Sequence, residues 1–122
     1  MLTLPRKRML KRRSDFQQVF RAGRAYANRY FVLYVFFVRP QDARLRQKVA
    51  FAAGKKLGCA VVRNRVKRLL REAYRLHQSE LRTDIALLFV GRRGAVTASG
   101  TEVERSLLRL ARKAQIVRDE SE

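Results

Sequence analysis

The sequence predicts an α+β fold in which one sheet is packed by helices. Two observations carry this prediction. Apolar residues recur at helical spacing in three segments, and three other segments are apolar runs rich in branched and aromatic residues. Polar residues, glycine and proline separate the six segments, in the order helix, strand, strand, helix, strand, helix. The length of 122 residues and the lack of a linker indicate one domain, residues 1–122.

The chain begins with a basic arm, residues 1–13, that contains six bases and no acid. Pro5 favours an extended conformation, and an ordered arm and a mobile, solvated arm both stay open. A first helix is predicted from Ser14, because Ser14 and Gln17 have the spacing of a capping box. Gly23 is expected to end this helix. Its apolar positions are Phe16, Val19 and Phe20.

Two strands follow the first helix. Residues 29–38, RYFVLYVFFV, are apolar on both sides of an alternating pattern, so one side can close a core while the other needs a helix or a ligand to cover it. Residues 48–54, KVAFAAG, form the second strand, and its alanines allow a neighbour to approach closely. The polar turn at 40–46 predicts that the two strands pair as a hairpin.

The second helix carries the strongest pattern, VRNRVKRLLREAYR at residues 62–75. An arc of about 80° is expected to face the core, and it holds Val62, Val66, Leu69, Leu70, Ala73 and His77. The remaining surface is cationic, and its members are Arg63, Asn64, Arg65, Lys67, Arg68, Arg71 and Arg75. Lys55 and Lys56 precede the helix in a glycine-bounded loop. Glu72 is the only acid among eight bases from 55 to 75.

A third strand and a third helix complete the predicted fold. Residues 84–91, DIALLFVG, form a strand whose continuous apolar run after Asp84 suits the centre of a sheet. The last helix is predicted to begin at Thr101, where Thr101 and Glu104 repeat the capping-box spacing. An acidic tail, residues 117–122, ends the chain.

The net charge limits the classes of function. There are 29 lysines and arginines against 10 acids, and self-repulsion at a net charge of +19 favours binding to a polyanion. Nucleic acid is the first candidate and an anionic membrane is the second. No apolar run approaches the roughly 20 residues that span a bilayer, and the N-terminus has no secretory signal. The single cysteine, Cys59, fits a reducing compartment, so a cytoplasmic location is predicted.

The sequence offers few groups for catalysis by side chains. The single histidine, His77, lies on the apolar side of its helix, which favours a core or rim position over a general base. The carboxylates are too scattered to predict a two-metal centre. Cys59 has no neighbouring zinc ligand, and the Gly54–Lys55 stretch fails the P-loop pattern. No catalytic residue and no metal site are predicted in the protein itself.

Two features indicate binding to RNA. Arg68, Arg71 and Arg75 recur every three to four residues, so their guanidinium groups could follow a phosphate backbone and bind it bidentately. The aromatic side chains of the first helix and first strand could line a platform on which unpaired bases stack. For any single ring, packing in the core is the competing interpretation. The candidates are Phe16, Phe20 and Tyr34, with Tyr30 or Phe36.

These residues resemble the protein subunit of bacterial ribonuclease P. The run KKLGCAVVRNRVKRLLRE, from Lys55 to Glu72, is similar to the signature stretch of that family, which centres on RNR. LKRRSDFQQVFRAG at 10–23 and ANRYFVLYV at 27–35 resemble its N-terminal half. The resemblance implies an α-β-β-β-α-β-α order with a left-handed β-α-β crossover. Because this order has one strand more than periodicity indicates, the extra strand is expected between Arg29 and Gly54.

The resemblance also implies a function. The holoenzyme is a ribonucleoprotein endonuclease that removes the 5′ leader of precursor tRNA, and its RNA subunit performs the Mg²⁺-dependent hydrolysis. The protein subunit would bind the RNA subunit and the leader and would need no protein partner. The residues implied to face the RNA subunit are Lys55, Lys56, Arg63, Asn64, Arg65, Lys67, Arg68, Arg71 and Arg75. Those implied to hold the leader are Phe16, Phe20 and Tyr34, together with Asn28 and Arg29.

Two other functions stay open on the sequence alone. A ribosomal or other structural RNA-binding protein would share the charge but would have no site for a leader. A nuclease that acts without an RNA subunit would cut precursor tRNA by itself.

Overall fold

The computed structural model of the protein describes residues 4–118. The α-helices and strands of this part are α1 (Arg13–Ala22), β1 (Arg24–Ala27), β2 (Phe31–Phe37), β3 (Val49–Ala53), α2 (Ala60–His77), β4 (Ile85–Gly91) and α3 (Gly100–Lys113). This order confirms the predicted α+β class. Of the predicted acidic tail, 117–122, residues 119–122 lie outside the described part.

The four strands form one sheet in the order β1-β2-β4-β3. β2 pairs antiparallel with β1 and with β4, whereas β3 and β4 are parallel. The predicted hairpin between 29–38 and 48–54 is therefore wrong, because β4 lies between these two strands. The reason is the connection through α2, which carries the chain from the end of β3 back to the start of β4, so that β4 lies parallel beside β3. The central position predicted for β4 is confirmed, and the left hand of the crossover stays a prediction.

β1 is the strand that periodicity did not predict. It has only four residues, RAYA, and most of them are exposed, so its alternation is too short to recognise. The additional strand expected between Arg29 and Gly54 lies instead before Arg29. Gly23 makes the junction between α1 and β1 possible, because a Cβ atom there would lie 2.4 Å from the Val19 carbonyl oxygen.

Helices cover both faces of the sheet, but unequally. α2 and α3 pack on one face over a large core that contains Phe31, Leu33 and Val35 of β2. α1 packs on the other face over a smaller core that contains Val19, Phe36 and Leu88. The prediction that both sides of the 29–38 strand need a cover is thus confirmed. α1 is short, however, and it leaves part of the second face half-exposed.

α2 presses closely on the sheet. Val66, Leu70 and Ala73 of its predicted core arc are buried, and so is Tyr74, which the arc had omitted. Gly91 of β4 lies directly beneath the helix, and a Cβ atom at this position would approach Val66 Cγ1 to 2.5 Å. The absence of a side chain at residue 91 therefore allows α2 to sit where it does.

Both predicted capping boxes are wrong in detail. α3 begins at Gly100 with Ser99 as its N-cap, and Ser99 and Glu102 form the capping box, at 3.2 Å and 3.0 Å. The Ser/Thr-x-x-Glu spacing occurs twice, two residues apart, and Thr101 lies already inside the helix. α1 begins at Arg13 with Arg12 as N-cap and with no side-chain cap, so Ser14 does not cap it.

The basic arm packs against the sheet over the part that the structure describes. Arg6–Arg8 form one 3₁₀ turn, and Met9 then pairs with Val49 at the outer edge of β3. The Leu10 N–H donates to the Val49 carbonyl at 2.9 Å, and Arg8 Nη1 donates to Gln78 Oε1 at 2.9 Å. The arm therefore covers an edge strand that would otherwise expose unpaired backbone groups.

Candidate nucleic-acid interface

The first candidate site is the cationic side of α2 with the turn before it, here called the α2 surface. Its members are Lys55, Lys56, Arg63, Asn64, Arg65, Lys67, Arg68, Arg71 and Arg75. Because the opposite side of α2 is buried against β3, β4 and α3, this side is turned to solvent. The side chains of Asn64, Arg68 and Arg71 are exposed. The structure thus brings the predicted residues together on one surface.

Two of the predicted residues also hold the protein together. Arg65 donates from Nη1 to the Val96 carbonyl at 2.8 Å and from Nη2 to the Ala98 carbonyl at 3.1 Å. Arg75 Nε donates to Glu72 Oε2 at 2.9 Å, and this hydrogen bond is the main reason that the pKa of Glu72 is lowered. Arg65 therefore anchors the loop before α3, and Arg75 is partly neutralised. Sequence periodicity could not separate these two arginines from the others.

Arg71 is oriented by an aromatic side chain of the sheet. Its guanidinium carbon lies 5.8 Å from the centroid of the Phe51 ring, a cation–π distance. Phe51 in turn stacks on Phe89, with ring centroids 5.4 Å apart. The contact restrains the guanidinium group while leaving its donors available. Arg63 differs, because its Nε atom is buried and has no acceptor among the described residues.

The N-terminal end of α2 adds to the positive potential. Lys55 and Lys56 lie in an exposed 3₁₀ turn, and Gly58, with φ of +138°, redirects the chain into the helix. Backbone N–H groups of Val62, and then of Val61, lower the pKa of the exposed Cys59 thiol, with Arg63 contributing. The same N–H groups that favour a thiolate favour any anion at this position.

The second candidate site is the half-exposed part of the face that α1 covers, here called the aromatic platform. Its members are Phe16, Phe20, Val32, Tyr34, Ala52 and Val90. The rings of Phe20 and Tyr34 lie 4.9 Å apart, and Phe20 is 48% exposed. Phe16 and Tyr34 are half-buried beside the smaller core. The platform thus contains all three rings predicted for leader binding.

Strand register supplies the rest of the platform. Val32 pairs with Val90, and Ala52 pairs with Val90 on its other side, so the three side chains form a row across β2, β4 and β3. Their side chains are half-buried. Sequence reasoning missed Ala52 and Val90, because their neighbourhood depends on the parallel pairing of β3 with β4. No local pattern predicts that pairing.

Asn28 and Arg29 form the turn between β1 and β2, and their contacts differ from those of the platform. Asn28 Oδ1 accepts from the backbone N–H groups of Tyr30 at 2.8 Å and Phe31 at 2.9 Å. Its carbonyl accepts from Arg92 Nη1 at 2.9 Å. The exposed Arg29 guanidinium lies 5.6 Å from the Tyr30 ring centroid. Asn28 therefore stabilises the turn, and Arg92 is a participant that sequence reasoning missed.

His77 lies between two carboxylates at the junction of α2 and α3. Its Nδ1 atom contacts Glu80, and its Nε2 atom lies 2.7 Å from Glu104 Oε1. Burial opposes the charged imidazole, but the hydrogen bonds to Glu104 and Glu80 outweigh it and raise the pKa of His77. The side chain is thus placed at the rim of the core, in the position that its helical spacing predicted. Glu104 belongs to this contact instead of capping α3.

Two other features, a metal site and a membrane-spanning helix, are absent from the part of the chain that the structure describes. Between residues 4 and 118, no three or more His, Cys, Asp or Glu side chains lie close enough together to hold a metal ion. In the same range, no helix has the length and apolar character needed to cross a bilayer.

Known proteins resemble this chain in sequence and in fold. Residues 4–115 match the family model described as Ribonuclease P. The ribonuclease P protein component of Bacillus velezensis is 39% identical over 118 residues, covering 97% of this chain and 98% of the relative. That of Brevibacillus brevis is 38% identical over 117 residues, covering 93% and 87%. The solved RNase P protein of Staphylococcus aureus superimposes with a TM-score of 0.76 at 27% identity, covering 91% and 98%.

Proposed function

We propose that this chain, which belongs to the ribonuclease P protein family, binds the RNA subunit of ribonuclease P through its α2 surface and the 5′ leader of precursor tRNA through its aromatic platform. Family membership was predicted from the RNR stretch and is confirmed, and with it the role of a subunit in a ribonucleoprotein endoribonuclease. The division of binding between two surfaces is the proposal.

The α2 surface is suited to a folded RNA because its cations are fixed in a row. The helix holds Lys67, Arg68 and Arg71 at neighbouring positions of one side, and the Phe51 ring restrains Arg71. Guanidinium groups bind phosphate oxygens in pairs, so a preorganised row loses less side-chain entropy on binding. Six to ten such phosphate contacts would make the affinity strongly salt-dependent.

The aromatic platform is suited to a single strand because its rings are accessible and not fully packed. Phe20 is 48% exposed and its ring lies 4.9 Å from the Tyr34 ring in a tilted arrangement. This pair is the observation that carries the leader assignment. Bases stack on such rings only when they are unpaired, and each stacked base contributes about 1–3 kcal/mol. A leader is single-stranded, whereas the body of a tRNA is mostly paired.

The chemistry of phosphodiester hydrolysis is assigned to the RNA subunit with its Mg²⁺ ions. The donor set of the protein does not fit a catalytic metal, because the carboxylates among residues 4–118 are not clustered and several are engaged by arginines. The protein would contribute positive charge beside the RNA and would position the leader. Cytoplasmic location belongs to the same proposal.

Reconstitution tests the proposal directly. Precursor tRNA is incubated with the RNA subunit alone, with the protein alone, and with both, at low and high Mg²⁺. The protein is expected to accelerate cleavage at low Mg²⁺ and to leave the substrate intact when added alone. Cleavage by the protein alone would favour the protein-only nuclease. Binding of the RNA subunit should follow a log–log salt slope of about −5 to −9, and a slope near zero would refute the charge-driven interface.

A further inference from the structure

α3 carries a second cationic surface that neither candidate site includes. It is called here the α3 surface, and it consists of Arg105, Arg109, Arg112 and Lys113, all of them exposed. The three arginines recur at intervals of four and three residues, so they lie on one side of the helix and extend along it for roughly 10 Å. Val103 and Leu107, on the opposite side, are buried in the larger core.

No acid balances this surface within the described residues. Glu102 precedes it but is held by the Ser99 backbone and by the Tyr30 hydroxyl, which donates to it at 3.3 Å. Glu104 points to the other side of α3, where it bonds His77. None of the four bases has an ion pair in residues 4–118. Mutual repulsion on such a surface is relieved by a bound polyanion.

A cleft beside the α3 surface contains an unsatisfied donor. The cleft, about 200 Å³ in volume, lies between α3 and the β1–β2 turn and is lined by Ala27, Asn28, Ser106, Arg109, Leu110 and Lys113. Asn28 Oδ1 is fully used by the turn, but Asn28 Nδ2 is buried and has no acceptor among the described residues. A buried donor without a partner is unfavourable, because it has lost its hydrogen bonds to water. An acceptor oxygen in the cleft would satisfy this donor.

We propose that the α3 surface is a second RNA-binding surface, which takes the phosphate backbone of a folded RNA segment and places one phosphate at the cleft beside Asn28. The two observations are complementary, since a phosphate offers oxygen acceptors to the amide and negative charge to Arg109 and Lys113. The side chains of the row are all charged donors, so binding would be independent of sequence.

RNA is favoured over an anionic membrane because large apolar side chains are scarce on this surface. A helix that lies on a membrane inserts large apolar residues beside its bases. In α3 the large apolar residues Val103, Leu107 and Leu110 are buried in the core, and the remaining one, Leu108, is half-buried. A single half-buried leucine is too little apolar surface to anchor a helix on a membrane. The identification of the RNA as the ribonuclease P RNA subunit rests on the proposed function, whereas the existence of a second phosphate-binding surface does not.

Salt-dependent binding of the RNA subunit tests the inference. The test variant is R105Q/R109Q/R112Q, and the matched control, R6Q/R21Q/R46Q, removes three exposed arginines from elsewhere. Loss of three phosphate contacts should flatten the log–log salt slope by about 2–3 and weaken binding about 100-fold at 0.1 M salt. The control should keep the slope of the unmodified protein, since it changes the net charge equally without removing contacts. Equal slopes for the two triple variants would overturn the inference.

A third variant separates this inference from the proposed function. If K67Q/R68Q/R71Q on α2 weakens binding and the α3 variant does not, only the α3 assignment fails. If neither variant weakens binding, the proposed function fails as well. Asn28→Asp keeps Oδ1 for the turn but replaces the Nδ2 donor with an anionic oxygen. It should therefore weaken RNA binding more than the control variant R6Q/R21Q/R46Q does. If R105Q/R109Q/R112Q lost binding to phosphatidylserine vesicles but kept its affinity for RNA, the α3 surface would be assigned to a membrane.

Discussion

The α2 surface and the aromatic platform lie on opposite faces of one sheet and expose opposite chemistry. α2 turns its apolar side inward and its charges outward, so the side chains that pack in the core are not the ones proposed to bind RNA. The platform uses the same kind of residue for both, because Phe16 and Tyr34 are half-buried in the smaller core while Phe20 remains accessible. Charge acts at long range and is screened by salt, whereas stacking acts only on contact. The affinities of the two surfaces for RNA should therefore depend differently on salt and on whether the RNA is single- or double-stranded.

The largest effect is expected from removing charge on the α2 surface. K67Q/R68Q/R71Q should weaken binding of the RNA subunit about 100-fold or more at 0.1 M salt and flatten the salt slope by about 2–3, because three phosphate contacts are lost. The measurement is a dissociation constant at several salt concentrations. R6Q/R21Q/R46Q serves as the control. An unchanged slope in the α2 variant would mean that this surface does not face RNA.

Truncating the platform should have the next largest effect. Phe20→Ala should weaken binding of precursor tRNA to the reconstituted holoenzyme by about 5- to 100-fold, since one stacking partner contributes about 1–3 kcal/mol. Mature tRNA, which has no leader, should bind as before, and the salt slope should not change. Phe37→Ala is the matched control, because Phe37 is 43% exposed on the face that α2 and α3 cover. Equal losses for both tRNAs would favour a general RNA-binding protein.

A smaller effect is expected where the α2 surface stabilises the fold. Arg65→Ala removes two hydrogen bonds to the loop before α3 and should lower the free energy of unfolding by about 1–2 kcal/mol. Urea denaturation measures the change. Arg68→Ala, at an exposed position that makes no hydrogen bond within residues 4–118, should stay within about 0.5 kcal/mol of the unmodified protein. Equal stability of the two variants would contradict a structural role for Arg65.

The smallest effect concerns the pH dependence of the α2–α3 junction. The folded-state pKa of His77 is raised above its ordinary value of 6.5, so its contribution to stability is fully present below that value. The contribution is lost as the pH rises through the folded-state pKa. The free energy of unfolding should therefore decrease above pH 6.5, and His77→Gln should flatten this dependence. The same decrease in the variant would assign it to another group.

Local patterns predicted the α2 surface well, because helical spacing is fixed by the chain itself. Arg68 and Arg71 lie where the 100° rotation places them, and Val66 and Leu70 lie on the opposite side. The platform was predicted only through its aromatic residues. Its other members, Val32, Ala52 and Val90, are neighbours only because β4 lies between β2 and β3. Pairing between distant strands leaves no periodic signal in the sequence. The roles of Arg65 and Asn28 depend on loops that meet them only in the folded protein.

The glycine beneath α2 sets the distance between the two surfaces. Since a methyl group at position 91 would lie 2.5 Å from Val66 Cγ1, a larger residue there would displace the Val66 side chain or the helix that carries it. If the helix moved, the guanidinium row would move outward while the rings on the far side of β4 stayed in place. A bare backbone at residue 91 thus limits how far apart two ligands would lie if both surfaces were occupied at once.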